Sequence, residues 1–300
     1  MDGIIAVWKP EGWTSHDVVA KVRRILRMKR IGHTGTLDPM VTGVLPLCLG
    51  RATRVVEYLQ ERPKAYQAVI QLGVATDTED LTGTVIEERT GITVTEEDVL
   101  RVIRSFVGEI EQVPPMFSAV KVDGKRLYEL AREGKTVERK SRKVTIHQIE
   151  LLQTELDLDH PRFTFSVVCS KGTYIRTLCV DIGQALGVPA AMAELTRTMS
   201  GGITKEHCLT LEQIEALQET GEIEKHLLPM ETAISHLQMA RVNEATAGMA
   251  LRGQKIPLNL ISEPINSGSL VRLYSDNDLF IGIFEVDEQA SLLKAVKVFS

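Results

Sequence analysis

The sequence predicts an α+β protein: a mixed β-sheet flanked by helices, followed by a small domain of mostly β-structure. Up to about residue 235, strand-like and helix-like segments are interspersed without regular βαβ repetition. Beyond that point the pattern consists mainly of short strand-like runs. A chain of 300 residues is also long for a single hydrophobic core. We therefore expect two domains, at residues 1–235 and 236–300.

The elements of the first domain follow from apolar spacing and turn residues. Residues 4–8 are typical of a short strand, and Thr14 or Ser15 is placed to cap the helix that follows. That helix carries apolar residues at helical spacing from Val18 to Leu26. Periodicity predicts the later elements, which are strands at residues 66–74 and 163–168 and helices at residues 95–106 and 174–186.

Strand-like runs define the second domain. Residues 270–274 and 279–286 are joined by Ser275-Asp276-Asn277-Asp278, which is typical of a hairpin turn. Residues 292–299 form another candidate strand. These runs predict a small sheet after residue 235.

Composition argues against metal centres, disulfides and membrane insertion. The four cysteines form no Cys-x-x-Cys pair and no cluster with histidine, as expected for a protein of the reducing cytoplasm. Asp77, Glu79 and Asp80 miss the spacing of a calcium-binding loop, so we interpret them as a turn. The run between Asp2 and Lys9 is too short for a signal peptide, and no stretch has the length of a membrane span. We expect a cytoplasmic protein without a bound metal.

The charge of the chain is unevenly distributed. Its net charge is −5, but residues 206–300 hold 14 acidic and 7 basic side chains, which leaves residues 1–205 at +2. Two blocks of cations lie in that part: Lys21, Arg23, Arg24, Arg27, Lys29 and Arg30, and then Lys121, Lys125, Arg126, Arg132, Lys135, Arg139, Lys140, Arg142 and Lys143. Either block alone is compatible with a solvated surface. Together they favour an RNA-binding face, because phosphate binding depends on local potential.

The second basic block has few residues that could form a core. Its one plausible helix, residues 127–132, ends before Gly134. We interpret residues 117–145 as a mobile insertion that becomes more ordered when it binds a partner.

A glycine-rich loop presents the best candidate for a catalytic carboxylate. Gly32, Gly35 and Gly43 permit positive φ angles and close approach of the backbone. Pro39 disfavours the α conformation for Asp38, so we expect the Asp38 side chain to lie on a shaped loop and not on a helix. A simple Asp-Pro turn is the alternative explanation.

Five segments, in order along the chain, resemble the motifs of the bacterial TruB family of tRNA pseudouridine synthases. They are Lys9-Pro10-Glu11-Gly12-Trp13-Thr14-Ser15, the stretch from Gly32 to Arg54, Lys64-Ala65-Tyr66, Lys171-Gly172-Thr173-Tyr174-Ile175-Arg176, and Ala193-Glu194-Leu195-Thr196-Arg197-Thr198. The resemblance implies a pseudouridine synthase-type catalytic domain, an RNA-gripping insertion and a PUA-like C-terminal domain. Because that last domain is acidic here, its contact with RNA stays open.

The resemblance also implies an activity and a site. The enzyme would flip uridine 55 of the TΨC loop out of tRNA, cleave its glycosidic bond and rejoin the base through C5. Asp38 would be the catalytic carboxylate, Arg176 the partner of its charge, and Tyr66 a stacking surface and proton-handling group. Further substrate contacts are expected from His33, Tyr174, Leu195, Arg197, Lys9 and Lys64. Contacts to the RNA backbone are expected from Arg23, Arg24, Arg27, Lys121, Lys125, Arg126 and Arg132.

Several alternatives stay open on the residues alone. Tyr66 is compatible with core packing, Arg176 with a surface cation, and His33 with a local hydrogen bond. Arg197 would make a phosphate contact or a structural one, and Asp38 would attack the sugar, attack the ring or abstract the 2′ proton. No cofactor or protein partner is expected, and we expect a monomer that binds the T stem-loop of tRNA.

Other classes of protein explain less of the sequence. A glycoside hydrolase usually needs a second carboxylate opposite the first, and none is indicated. An RNA-binding module without catalysis would not need Asp38, Tyr66 and Arg176. A pseudouridine synthase for another RNA, such as a guide-RNA-dependent relative, is the nearest competitor. An RNA chaperone activity can coexist with catalysis.

Overall fold

The structure, a computed structural model, describes residues 1–122, 124–265, 268–287 and 289–299. In these residues, helices pack on two larger β-sheets. The described α-helices are α1 (Ser15–Leu26), α2 (Val56–Glu61), α3 (Glu96–Ser105), α4 (Leu127–Arg132), α5 (Ile175–Ala185), α6 (Leu211–Glu219) and α7 (Glu244–Leu251). The described strands are β1 (Gly3–Lys9), β2 (Ile31–His33), β3 (Thr42–Leu49), β4 (Lys64–Leu72), β5 (Val74–Thr76), β6 (Val85–Glu88), β7 (Gly108–Gln112), β8 (Lys121–Val122), β9 (Lys125–Arg126), β10 (Arg142–Glu155), β11 (Arg162–Cys169), β12 (Ala190–Ser200), β13 (Ile203–Thr204), β14 (Cys208–Leu209), β15 (Gln238–Val242), β16 (Ile256–Pro257), β17 (Leu270–Ser275), β18 (Phe280–Asp287) and β19 (Leu292–Val298).

The larger sheet is mixed, as the sequence predicts. Its strand order is β14-β1-β3-β12-β4-β11-β10-β7, with β2 paired to β3 and β13 to β12. Strands β3 and β12 run parallel, whereas β12 and β4 run antiparallel. Helices α3 and α5 pack on β4, β11 and β12 around one apolar core, and α1 and α6 pack on β1 and β3 around another. The predicted arrangement of a mixed sheet flanked by helices is confirmed.

Local signals explain where α1 begins and ends. Thr14 is the residue that caps it, through a reciprocal pair of hydrogen bonds with Asp17. The helix ends where Arg27 adopts a left-handed conformation with φ of 53°. Ser15, the other candidate cap, is fully buried at the first helical position.

The second sheet has the order β15-β17-β18-β19-β16. The three strands predicted here correspond to β17, β18 and β19, and the predicted turn joins the first two as a hairpin. Periodicity did not reveal β15, β16 or the short helix α7. Each of them is short, and α7 is apolar on more than one side.

The two sheets share an apolar core. Phe280 of β18 and Phe299, just after β19, belong to the same buried cluster as Ile4 and Val44 of the first sheet. Arg54 extends this contact, since its guanidinium donates to the Val298 carbonyl and lies 4.9 Å from the centre of the Phe299 ring. No helix in the described ranges is long and apolar enough to cross a membrane.

Candidate active site

The loop between β2 and β3 presents Asp38 shortly before the start of β3, an inner strand of the larger sheet. Its carboxylate is 53% exposed, and the Val41 amide donates to the Asp38 carbonyl at 3.0 Å, which closes a turn. Gly43 has φ of 117°, and a Cβ there would lie 2.2 Å from the Arg197 carbonyl oxygen. Gly35 has φ of 137°. The glycine prediction is therefore confirmed at these two positions but is wrong for Gly32, which lies in β2 without a positive φ.

Arg176, the second residue of α5, connects three separate segments. Its side chain is only 8% exposed, and its Nη2 lies 3.1 Å from Asp38 Oδ2. Its Nη1 lies 3.7 Å from Asp80 Oδ2, in the acidic turn. The guanidinium also donates to the carbonyls of Thr78 and Phe117, both at 2.8 Å. The pairing expected between Asp38 and Arg176 is present, and the contacts on the other side of the guanidinium fix its orientation.

A cavity of about 360 Å³ opens beside this ion pair. It brings together most of the residues predicted to act in catalysis or contact substrate: Asp38, Lys64, Tyr66, Tyr174, Arg176, Leu195 and Arg197. Tyr66 is half-buried, and burial raises the pKa of its hydroxyl despite the nearby positive charge of Arg197. The hydroxyl is therefore protonated at neutral pH, so it can donate a hydrogen bond to a molecule in the cavity.

For Arg197 the sequence left open a contact with phosphate or a structural contact, and in the structure the side chain makes the structural contact. Strand β12 places it opposite both Tyr66 and Gly43. Its side chain is 1% exposed, with Nε donating to the Val44 carbonyl at 2.8 Å and Nη2 to the Gly35 carbonyl at 3.2 Å. A guanidinium committed to these carbonyls holds the Asp38 loop at both ends and is too deeply buried for a phosphate.

Lys9 also supports the loop, and its contacts here are with the protein, whereas a contact with substrate was expected. It is fully buried, and its Nζ donates to the carbonyls of Pro10, Trp13 and Pro39 at 2.8, 2.5 and 3.0 Å. All three ammonium protons are thus used within the protein. Burial lowers the pKa of Lys9 to about 8, against the opposing effect of the Asp38 charge.

Ser15 and Gly12 complete the support around Asp38. The Leu37 amide donates to Ser15 Oγ at 2.9 Å, and the Gly12 amide donates to the Pro39 carbonyl at 2.9 Å. The residues on either side of Asp38 are therefore fixed by the N-terminal motif. The sequence indicated that motif but not this role for Ser15.

Lys64 and His33 differ in how they relate to the cavity. Lys64 lines its wall, but its Nζ donates to the carbonyls of Gln60 and Arg62, and burial lowers its pKa to about 8. His33 is not among the described residues that line the cavity, and its ring packs 5.4 Å from that of His16. Burial and His16 lower the pKa of His33. The expected contact of His33 with substrate has no support in this geometry.

A wider cavity of about 690 Å³ adjoins the first, and Asp38 and Arg176 line both. The insertion forms one wall of this cavity with Arg126, Tyr128 and Arg132. The guanidinium carbon of Arg126 lies 5.8 Å from the centre of the Tyr128 ring, and that of Arg132 lies 5.4 Å from it. The helix predicted in the insertion is confirmed as α4. The segment between β7, which ends at residue 112, and β10, which begins at residue 142, holds the predicted insertion of residues 117–145 except for its last four residues.

The remaining predicted RNA-binding cations lie away from the two cavities. In the described part of the chain, Arg23, Arg24 and Arg27 line neither cavity. Arg23 and Arg24 on α1 and Arg27 just after it are all exposed, and Arg23 Nη2 also donates to the Ile31 carbonyl at 2.9 Å. In the insertion, Lys121 is exposed, and Lys125 pairs with Glu133 at 3.5 Å.

Two residues of the site were missed from the sequence. Asp80 was interpreted only as part of a turn, but it also faces Arg176. Gln112 is buried and fixes the backbone of Tyr174, donating to its carbonyl at 3.2 Å and accepting from its amide at 3.0 Å. The partners of both residues are far away in sequence. The only local signals were the acidic turn that contains Asp80 and the Pro114-Pro115 pair that follows Gln112.

Family models match almost the whole chain. The TruB family pseudouridylate synthase N-terminal domain matches residues 23–175. The chain belongs to the TruB family. The tRNA pseudouridylate synthase B C-terminal domain matches residues 176–235, and the C-terminal region of pseudouridine synthase II TruB matches residues 240–294. The resemblance stated from the five sequence motifs is confirmed.

Three relatives of this TruB protein are named tRNA pseudouridine synthase B. The relative from Clostridium perfringens (strain 13 / Type A) is 44% identical over 300 residues, covering 99% of each chain. That from Bacillus subtilis (strain 168) is 43% identical and covers 99% of this chain and 97% of its own. That from Bacillus pumilus is 48% identical over 260 residues, which is 86% of this chain and 84% of its own.

Solved structures resemble the TruB chain along its whole length. A crystal structure of a Cbf5-Nop10-Gar1 complex matches with a TM-score of 0.76 and 31% identity, covering 99% of this chain and 84% of that one. An H/ACA RNP bound to a substrate RNA containing 2′-deoxyuridine matches with a TM-score of 0.76 and 29% identity, covering 99% and 85%. The predicted fold class, with its PUA-like C-terminal region, is confirmed.

Proposed function

We propose that this chain converts uridine 55 in the TΨC loop of tRNA into pseudouridine, using Asp38 on a base flipped into the smaller cavity. Its family and its full-length relatives identify it as a tRNA pseudouridine synthase, which is an isomerase. We further propose that residues 1–235 are the catalytic domain, which holds the cavity, and that residues 236–300 are a PUA-like domain. The enzyme would act as a monomer, without a cofactor or a protein partner.

The contact between Asp38 and Arg176 carries this proposal. The reaction needs a carboxylate beside the glycosidic carbon, as nucleophile or as base. Asp38 combines a half-exposed carboxylate with a rigid loop and a guanidinium 3.1 Å away, which orients it and balances its charge. Because it borders both cavities, it can meet a nucleotide whose base lies in the smaller one.

The smaller cavity suits a flipped uracil. Tyr66 and Leu195 supply apolar surface for the ring, and the Tyr66 hydroxyl supplies a proton donor. Extrusion of the base costs a few kcal/mol, which contacts inside the cavity and along the backbone offset. In the isomerisation the bond from C1′ to N1 breaks and that from C1′ to C5 forms. A proton leaves C5 and another is gained at N1, so electrons balance within the substrate.

Backbone contacts would come from the insertion. Arg126 and Arg132 lie on the wall of the wider cavity, next to the Asp38 loop. They are therefore placed to hold phosphates on either side of the flipped nucleotide. The same wall includes Tyr128, whose ring can stack on an exposed base.

The test is to map pseudouridine in an unmodified tRNA transcript treated with the purified chain alone. We expect modification at position 55 only, and no modification when that position is cytidine. An isolated T stem-loop with the sequence of that tRNA should suffice as substrate. Pseudouridine at another position, or activity that appears only when a guide RNA or another protein is added, would contradict the proposal.

A further inference from the structure

Ser118 lies in the insertion on the border between the two cavities and lines both. The residue is 5% exposed. Its carbonyl accepts from the Tyr128 amide at 3.1 Å, and the preceding carbonyl, of Phe117, accepts from Arg176 at 2.8 Å. The backbone at Ser118 is therefore tied both to α4 and to the partner of the catalytic carboxylate.

The hydroxyl of Ser118, in contrast, has no hydrogen-bond partner among the described residues. A buried hydroxyl without a partner is unfavourable, so such a group in a native protein calls for an explanation. Three other buried polar atoms in the described ranges share this property: His160 Nδ1, Ser200 Oγ and Gln218 Oε1. None of those three residues lines either cavity, whereas Ser118 lines both.

The position of Ser118 indicates which part of a nucleotide it would meet. Tyr66 and Lys64 line only the smaller cavity, whereas Tyr128 and Arg132 line only the wider one. A uracil that packs on Tyr66 leaves its ribose and phosphates at the border between the cavities. Because Ser118 lines both cavities, rotation about its one side-chain bond is the only movement needed to offer its hydroxyl to a group at that border.

We propose that Ser118 is a substrate-binding residue whose hydroxyl donates a hydrogen bond to an oxygen of the ribose–phosphate of the target nucleotide. This inference rests on the proposed function, because it requires the target base to occupy the smaller cavity. The hydroxyl then gains in the complex the partner that it lacks in the free protein. The residue serves binding and takes no part in moving protons or breaking bonds.

Ser118→Ala and Ser200→Ala form a matched pair that tests the proposal. Each removes one buried, unpaired hydroxyl, so both variants should melt close to wild type, as thermal unfolding would verify. With a T stem-loop substrate, Ser118→Ala should raise KM about tenfold and change kcat by less than about twofold, because the lost bond exists before and during the reaction. Ser200→Ala should match wild type in both constants. An unchanged KM in Ser118→Ala would overturn the proposal.

The two candidate oxygens can be told apart by binding. In an Asp38→Asn background, which prevents turnover, the affinity for RNA is measured with uridine or 2′-deoxyuridine at the target. If Ser118→Ala weakens binding of the uridine RNA but not of the deoxyuridine RNA, the 2′-hydroxyl is the partner. Equal weakening of both assigns a phosphate oxygen, and no weakening of either contradicts the inference.

Failure of the inference and failure of the proposed function give different results. If wild type and Ser200→Ala modify position 55 and Ser118→Ala does so with the same KM, only the inference is overturned. If wild type does not modify position 55 at all, the proposed function is overturned, and this inference with it.

Discussion

The cavity beside Asp38 and the basic surfaces of this protein are built in opposite ways. In the cavity, a few polar groups are each held by several partners, and Arg176 alone contacts two carboxylates and two carbonyls. On the outer face of α1, Arg24 and Arg27 are exposed to solvent. The first arrangement fixes geometry, whereas the second offers charge. Replacing a cavity group that several partners hold, such as Arg176, should therefore lower kcat steeply, and changes on the surfaces should weaken binding gradually.

The largest effect short of removing Asp38 is expected from Arg176→Lys. Lysine keeps the charge but cannot reach two carboxylates and two carbonyls with a planar fork of donors. We expect kcat to fall by on the order of a hundredfold or more, with a much smaller change in RNA affinity. Single-turnover kinetics would measure this.

Arg162→Lys is the control, since Arg162 donates to Gln71 at 2.8 Å on neighbouring strands and lines neither cavity in the described chain. It should keep nearly full turnover. Should Arg176→Lys behave like this control, the ion pair would have no part in catalysis.

An intermediate effect is expected from the insertion. Arg126→Gln combined with Arg132→Gln removes two cations from the wall of the wider cavity and leaves the Asp38–Arg176 pair in place. We expect affinity for tRNA to fall, with the slope of log K against log salt reduced by roughly 0.7 to 0.9 for each lost phosphate contact. Saturating RNA should largely restore kcat.

Filter binding at several salt concentrations would test this expectation. A salt slope equal to that of wild type would show that these arginines do not hold phosphates. A kcat that stays low at saturating RNA would give them a role inside the cavity and weaken the contrast between the two regions.

The smallest effect is expected from α1. Arg24→Gln combined with Arg27→Gln removes exposed cations that are remote from both cavities, so binding should weaken only a few-fold and the salt slope should flatten, again by roughly 0.7 to 0.9 per contact. The position modified should not change. Arg252→Gln with Lys255→Gln, also exposed but in the acidic C-terminal region, is the matched control. Equal losses in both pairs would mean that α1 is not a specific RNA-binding surface.

The sequence predicted those features that depend on neighbouring residues. The helix cap at Thr14 or Ser15, the helix at residues 127–132 and the hairpin at residues 275–278 all depend on residues only a few positions apart. The family motifs added Asp38 and Arg176, although these residues are distant in sequence and meet only in the fold.

The sequence did not show which cations have distant backbone groups as partners. Lys9 was expected to contact substrate, and Arg197 to make either a phosphate contact or a structural one, because cations are usually exposed. Pairing of β3 with β12, and the approach of the Pro39 carbonyl to Lys9, supply buried acceptors that no local pattern reveals. The same reason explains why Asp80 and Gln112 were missed. Their roles depend on which loop lies opposite them in the folded protein.

The most direct test of the central claim is the formation of pseudouridine at position 55 by wild type and by Asp38→Asn under single-turnover conditions. The substitution removes a charge but almost no volume, so tRNA affinity should stay within about tenfold of wild type. We predict that wild type modifies position 55 fully and that Asp38→Asn forms no detectable product. Turnover by Asp38→Asn at a rate near that of wild type would remove Asp38 from the mechanism and contradict the account.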